Sequence, residues 1–197
     1  MRKLKYIKQL EPFHRAPFFT IEEAAKQGVP RHALAYLEKR GDLERVYPGA
    51  YRFSEYEPEV EFQWENLGLI ASGIPESVIC LISALVFYGL TDQVMREIWL
   101  AVPHQSHPPK RPNTKIVRMR NTDLGKTTIA LGEYRVQIFD RERCIVDAFR
   151  YLSKEIAIKA LQRYFQGKDV KPDPKKLGAY AKKLRVNITP YILSCTT

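Results

Sequence analysis

Cysteine, histidine, acidic residues and long apolar runs are all scarce in this chain, and each shortage excludes something. Three cysteines, Cys80, Cys144 and Cys195, are scattered over 197 residues. An odd, dispersed set does not make a disulfide framework, so a reducing, cytoplasmic setting is expected. Of the four histidines, His104 and His107 sit in the proline-rich "PHQSHPPKRP" with no cysteine or carboxylate at ligand spacing. Neither a metal nor any other cofactor is therefore expected. The longest apolar run, "VICLISALVFYGL", is broken by Ser83 and Gly89. It falls short of the roughly 20 apolar residues that cross a bilayer and reads as a core segment. The opening "MRKLKYIKQL" alternates charged and apolar residues. It lacks the continuous apolar stretch of an export signal, so none is expected. Glycine-rich phosphate loops, the G-x-S-x-G nucleophile motif and paired-cysteine zinc motifs are missing as well. Finally, 22 acidic residues face 32 lysines and arginines, a net charge of +10. Such a surplus attracts polyanions through counterion release, and its placement decides whether it does more than keep the chain soluble.

What is present is a patterned N-terminus. "LKYIKQL" carries Leu4, Ile7 and Leu10 at helical spacing, and "HRAPFF" interrupts the pattern. In "TIEEAAKQGVPRHALAYL", residues 20–37, Thr20 and Glu23 form a capping box. A short helix runs from there to Gln27, where Gly28 is suited to the left-handed residue that ends it. Pro30 suits the first turn of the next helix, because its missing N–H costs nothing there. That helix buries Leu34 and Leu37 and ends near Gly41. In "DLERVYPGAYRF", Leu43–Val46 and Ala50–Phe53 read as two short strands around a Tyr47-Pro48-Gly49 turn. Two helices joined by a tight turn and followed by a hairpin make the layout of a winged helix.

An acidic, proline-containing stretch, "SEYEPEVE", reads as a linker over residues 54–61. The expected organisation is thus a winged helix-turn-helix at 1–53, this linker, and a second domain at 62–197. In the second domain "VICLISALVFYGL" reads as a buried helix with a short extended lead-in. "EIWLAV", "TKIVRMR", "TTIAL" and "YRVQIFD" read as strands. "CIVDAFRYL", "EIAIKALQRYF" and "DPKKLGAYAKKL" follow as amphipathic helices, the last with Asp173 as N-cap and the charged connector 168–176 before it. A small mixed sheet followed by a helical block is an α+β pattern.

Burying Leu34 and Leu37 turns Arg31, His32, Ala35 and Lys39 outward and leaves Tyr36 at the margin. The N-terminal part of a recognition helix meets base edges, so Arg31 and His32 are best placed to read sequence. Lys39 and Arg40 lie nearer the duplex backbone, and Arg45, Tyr47 and Arg52 flank the hairpin tip as phosphate contacts. The bland reading is a packing unit with a solvated basic face, serving protein interaction only. In the second half Tyr164 and Tyr180 fall on apolar helix stripes and read as core. "GEYRVQIFDRER" places Glu133, Asp140 and Glu142 around a strand, the basis of an alternative in which a winged helix is fused to a nuclease-like domain. Without a lysine partner at short spacing, surface acids beside basic residues are preferred. Asp147 differs, since a carboxylate among Ile145, Val146 and Phe149 must cap, pair with Arg143 or Arg150, or serve a site.

Four segments, in this order and spacing, carry a resemblance over nearly the whole chain: "GVPRHALAYLEKRGDLERVYPGAYRF", "ICLISALVFYGLTDQVMREIWLAVP", "YRVQIFDRERCIVDAFRYL" and "LRVNITPYI". The chain resembles the AbiEi-type antitoxins and transcriptional regulators of bacterial abortive-infection, type IV toxin–antitoxin systems, which act in phage defence. The resemblance implies an autorepressor, not an enzyme. Its winged helix would bind inverted repeats in its own promoter, and its C-terminal domain would oppose a nucleotidyltransferase-like toxin without a stable complex. It also implies antitoxin-domain roles for Ser83, Arg143 and Asp147. The chain departs from the family pattern in two places. Tyr88 stands where a histidine usually precedes Gly-Leu-Thr, and Arg143-Cys144 stands where Lys-Thr is usual.

Overall fold

The computed structural model describes residues 2–167 and 171–196. It separates into two units, Met1–Leu69 with Ala130–Tyr134, and Ile70–Ile129 with Arg135–Thr197. Residues 168–170 of the charged connector lie outside the described residues.

The first unit opens with α1 (Arg2–Leu10), a 3-10 turn (Glu11–Phe13) and β1 (Phe19–Thr20). The capping box then starts α2 (Ile21–Lys26). The Glu23 amide donates to Thr20 Oγ1 at 3.2 Å, and the Thr20 amide donates to Glu23 Oε2 at 2.7 Å. Gly28 follows with φ 78°, and a Cβ there would stand 2.9 Å from the Gln9 side-chain amide. Pro30 is the extended N-cap of α3 (Arg31–Lys39) rather than its first helical residue. β2 (Leu43–Tyr47) and β3 (Ala50–Phe53) form the hairpin, with a bulge between Arg45 and Tyr47. β1 pairs antiparallel with β3, giving the order β1-β3-β2. The core joins Leu10, Phe19, Val29, Leu34, Leu37, Leu43 and Phe53, and Phe13 stacks on Phe19 at 5.0 Å. Burying each such side chain favours the fold by about 1.5–3 kcal/mol. β1 was not expected, because two residues are too few to show a period. Nor was α4 (Phe62–Ser72), whose apolar residues follow no single stripe.

In the second unit β4 (Val78–Ile79) leads into α5 (Leu81–Phe87), as the apolar segment predicted. β5 (Ile98–Pro103), β6 (Thr114–Met119), β7 (Lys126–Leu131) and β8 (Tyr134–Phe139) complete a sheet of order β6-β5-β4-β8-β7. It is mixed: β4 runs antiparallel to β5, β5 parallel to β6, and β4 parallel to β8. α6 (Arg141–Tyr151) packs against α5, α7 (Lys154–Gln166) and α8 (Pro174–Leu184). α9 (Thr189–Thr196) packs on α7. Asp140, Ser153 and Asp173 cap α6, α7 and α8 by accepting from Arg143, Ile156 and Lys176 amides. The class is α+β, as expected. Among the described residues no helix is long and apolar enough to cross a membrane.

Candidate nucleic-acid interface and the buried arginine–aspartate pair

α3 sorts its residues by face. Ala33, Leu34 and Leu37 are buried, while Arg31, His32, Ala35, Tyr36, Lys39 and Arg40 are exposed. Arg31 and His32 occupy the first turn, where backbone N–H groups also point outward. Tyr36 is 52% exposed despite its size, with the Arg40 guanidinium over its ring at 5.6 Å. Arg40 also pairs with Asp42 at 3.5 Å, so it is less available than Arg31 or His32.

The hairpin divides its three expected contacts. Arg45 is exposed, and Tyr47 is half-buried with its ring edge-on to Phe18 at 5.4 Å. Arg52 departs from the expected phosphate contact. It bridges Glu44 and Glu65, the latter at 3.0 Å, and lies over the Tyr56 ring at 5.5 Å. Glu65 is itself buried and accepts the Tyr134 hydroxyl at 2.6 Å. Arg52 thus neutralises a carboxylate inside the unit, which a duplex phosphate would have to displace. Burial and then the Glu65 hydrogen bond push the Tyr134 hydroxyl well above its usual range, and burial with Glu65 and Glu133 pushes Tyr56 up to about 12. This cluster was missed because Glu65 and Tyr134 are distant from Arg52 in sequence. The lone acid in "FQWENLGLIAS" was its available signal.

In the second unit Ser83, Arg143 and Asp147 are all fully buried. Ser83 Oγ accepts the Trp99 amide at 2.9 Å, tying α5 to β5. Arg143 Nε donates to Asp147 Oδ2 at 2.7 Å, and Arg150 donates to Asp147 Oδ1 at 2.7 Å. Both partners anticipated for Asp147 are therefore engaged at once. The rest of the Arg143 guanidinium donates to the carbonyls of Leu124 and Asn121, at 2.8 and 2.9 Å, and sits 4.3 Å from the Phe139 ring centre. These three residues hold interior structure rather than present groups at the surface. Burial also raises the Cys80 and Cys144 thiols well above their usual range, with the Asp147 charge adding to it.

Two of the three carboxylates weighed for nuclease chemistry, Asp140 and Glu142, are engaged structurally. Asp140 caps α6, accepts the Tyr180 hydroxyl at 3.0 Å and pairs with Lys176 at 3.0 Å. Glu142 accepts from Tyr164 at 2.6 Å and from Lys176 at 3.0 Å. Burial pulls the Lys176 amine down, but the bonds to Glu142 and Asp140 outweigh it and raise it. Tyr164 is buried as expected, whereas Tyr180 is half-buried and works as a donor.

Residues 5–54, from within α1 to just past β3, match the family model described as a transcriptional regulator, AbiEi antitoxin. The matched stretch coincides with the segment read from the sequence as a winged helix, and it bears the family description that the resemblance gave. No curated protein matches the chain.

Proposed function

We propose, starting from the family match over residues 5–54, that the chain is a cytoplasmic DNA-binding autorepressor and antitoxin of a type IV toxin–antitoxin system. Its winged helix, residues 1–53, binds inverted repeats in its own promoter. Arg31 and His32 read base edges, Tyr36, Lys39 and Arg40 line the approach to the backbone, and Arg45 and Tyr47 form the wing contact. The observation that carries this reading is the outward face of α3, where Arg31 and His32 stand exposed in the first turn. Base readout needs side chains at that end of a helix. The second domain, joined through residues 54–61, opposes a nucleotidyltransferase-like toxin without forming a stable complex. Ser83, Arg143 and Asp147 support that role by holding the domain together, and no catalytic step is assigned to the chain. The test is a gel-shift titration of the chain's own promoter against a scrambled duplex at fixed salt. Preference for the promoter, lost in Arg31→Ala with His32→Ala, supports the reading. Equal affinity for both duplexes would sink it.

A further inference from the structure

A concave site of about 400 Å³ in the second unit is lined by six cationic side chains: Arg118, Arg120, Arg143, Arg150, Lys183 and Arg185. They converge from β6 and its end, from α6 and from the C-terminal end of α8. No carboxylate is among the described residues that line it. Behind them Asp147 bridges Arg143 and Arg150 and so fixes the floor of the site. The C-terminus of α8 adds only about half a negative charge. Six cationic side chains with no carboxylate among the described lining residues make the cavity electropositive, and a concave wall concentrates that field.

The remaining four cations are offered outward. Arg118, Arg120, Lys183 and Arg185 are exposed, and of these Arg118 makes one long hydrogen bond, to the Ser106 carbonyl at 3.4 Å. Arg185 closes α8 in the left-handed region at φ 57°, where glycine would sit without strain. An arginine is held there instead. Tyr151, 41% exposed at the rim with Arg150 against its ring at 4.9 Å, adds an aromatic surface beside the cations. The volume lies within the range of roughly 300–1,000 Å³ usual for small-ligand sites. A flat duplex footprint would be a stripe of cations, whereas these face one hollow.

We propose that this hollow binds a polyphosphate-bearing ligand of nucleotide size, independently of the winged helix. Arginine forks and the lysine hold the phosphate oxygens, and the fixed Arg143–Asp147–Arg150 floor keeps the site preorganised.

The test uses the full chain at constant ionic strength, so that screening is the same in every arm. Pyrophosphate, ATP and adenosine are titrated calorimetrically and by thermal melting. Lys183→Glu is compared with Lys182→Glu, a change of the same charge on the neighbouring residue, which does not line the hollow. Expected is binding of pyrophosphate and ATP but not adenosine, with a raised melting temperature. Lys183→Glu weakens it at least tenfold, Lys182→Glu leaves it within about twofold, and promoter binding is unchanged in both. Equal weakening in the two variants would reduce the site to a diffuse field. Adenosine binding as well as ATP, or no binding of either phosphate compound, would overturn the proposal. So would a Lys183→Glu protein that loses promoter affinity while no nucleotide binds, since the cations would then belong to the duplex face.

Discussion

Replacing Asp147 by alanine should be the most damaging conservative-sized change in the second unit. Asp147 accepts from Arg143 and Arg150 at 2.7 Å each, and its side chain is 1% exposed. Arg143 is 0% exposed, so removing the carboxylate strands a buried guanidinium with no counter-charge. The Leu124 and Asn121 carbonyls still accept from Nη1 and Nη2 but supply no charge. Removing one partner of a buried pair costs about 3–5 kcal/mol. Set against a total stability of about 5–15 kcal/mol, that is a large fraction. At about 2–4 °C per kcal/mol for a chain of this size, the melting temperature should fall by roughly 6–20 °C. The size of the cost comes from the stranded charge and not from the cavity. The Arg143→Met/Asp147→Leu double variant should therefore melt closer to the natural chain than Asp147→Ala does. Calorimetry on the natural chain, Asp147→Ala, the single variants Arg143→Met and Asp147→Leu, and the double variant decides it. Single variants within about 1 kcal/mol of the natural chain, with costs that simply add, would refute the reasoning.

Four further outcomes are expected. Arg31→Ala should weaken promoter binding by roughly 1–3 kcal/mol and relax sequence preference, measured by competitive gel shift. Arg52→Ala should leave buried Glu65 without its cation and lower the melting temperature, while the Arg52→Ala/Glu65→Gln pair recovers part of the loss. Gly125→Ala should cost about 2–4 kcal/mol in urea unfolding: its φ is 73° and its Cβ would stand 2.8 Å from the Cβ of Arg143, which cannot swing away. Thr20→Ala should cost about 0.5–2 kcal/mol through the lost cap of α2, read by the same unfolding curve.

Local chemistry was legible in the sequence and distant chemistry was not. The Thr20–Glu23 box, the left-handed Gly28 and the Asp173 cap depend on residues within a few positions, and each is in place. The partners of Asp147 were legible for the same reason, lying three and four residues away on one helix. Arg52 read as a phosphate contact because Glu65 and Tyr134 reach its neighbourhood only through folding. Ser83 looked like a polar interruption in an apolar run. Its meaning, acceptance of the Trp99 amide, requires β5 beside α5. The basic hollow draws its cations from three separated stretches, and no spacing rule joins residues 118, 150 and 185.

The central claim is that Arg31 and His32 on α3 read promoter DNA. Its most direct measurement is fluorescence anisotropy of a labelled promoter duplex titrated with the natural chain and with Arg31→Ala/His32→Ala over a series of salt concentrations. The account predicts a steep salt dependence in both proteins, since phosphate contacts persist, and a preference for promoter over scrambled duplex in the natural chain alone. A double variant that keeps the full preference would contradict it.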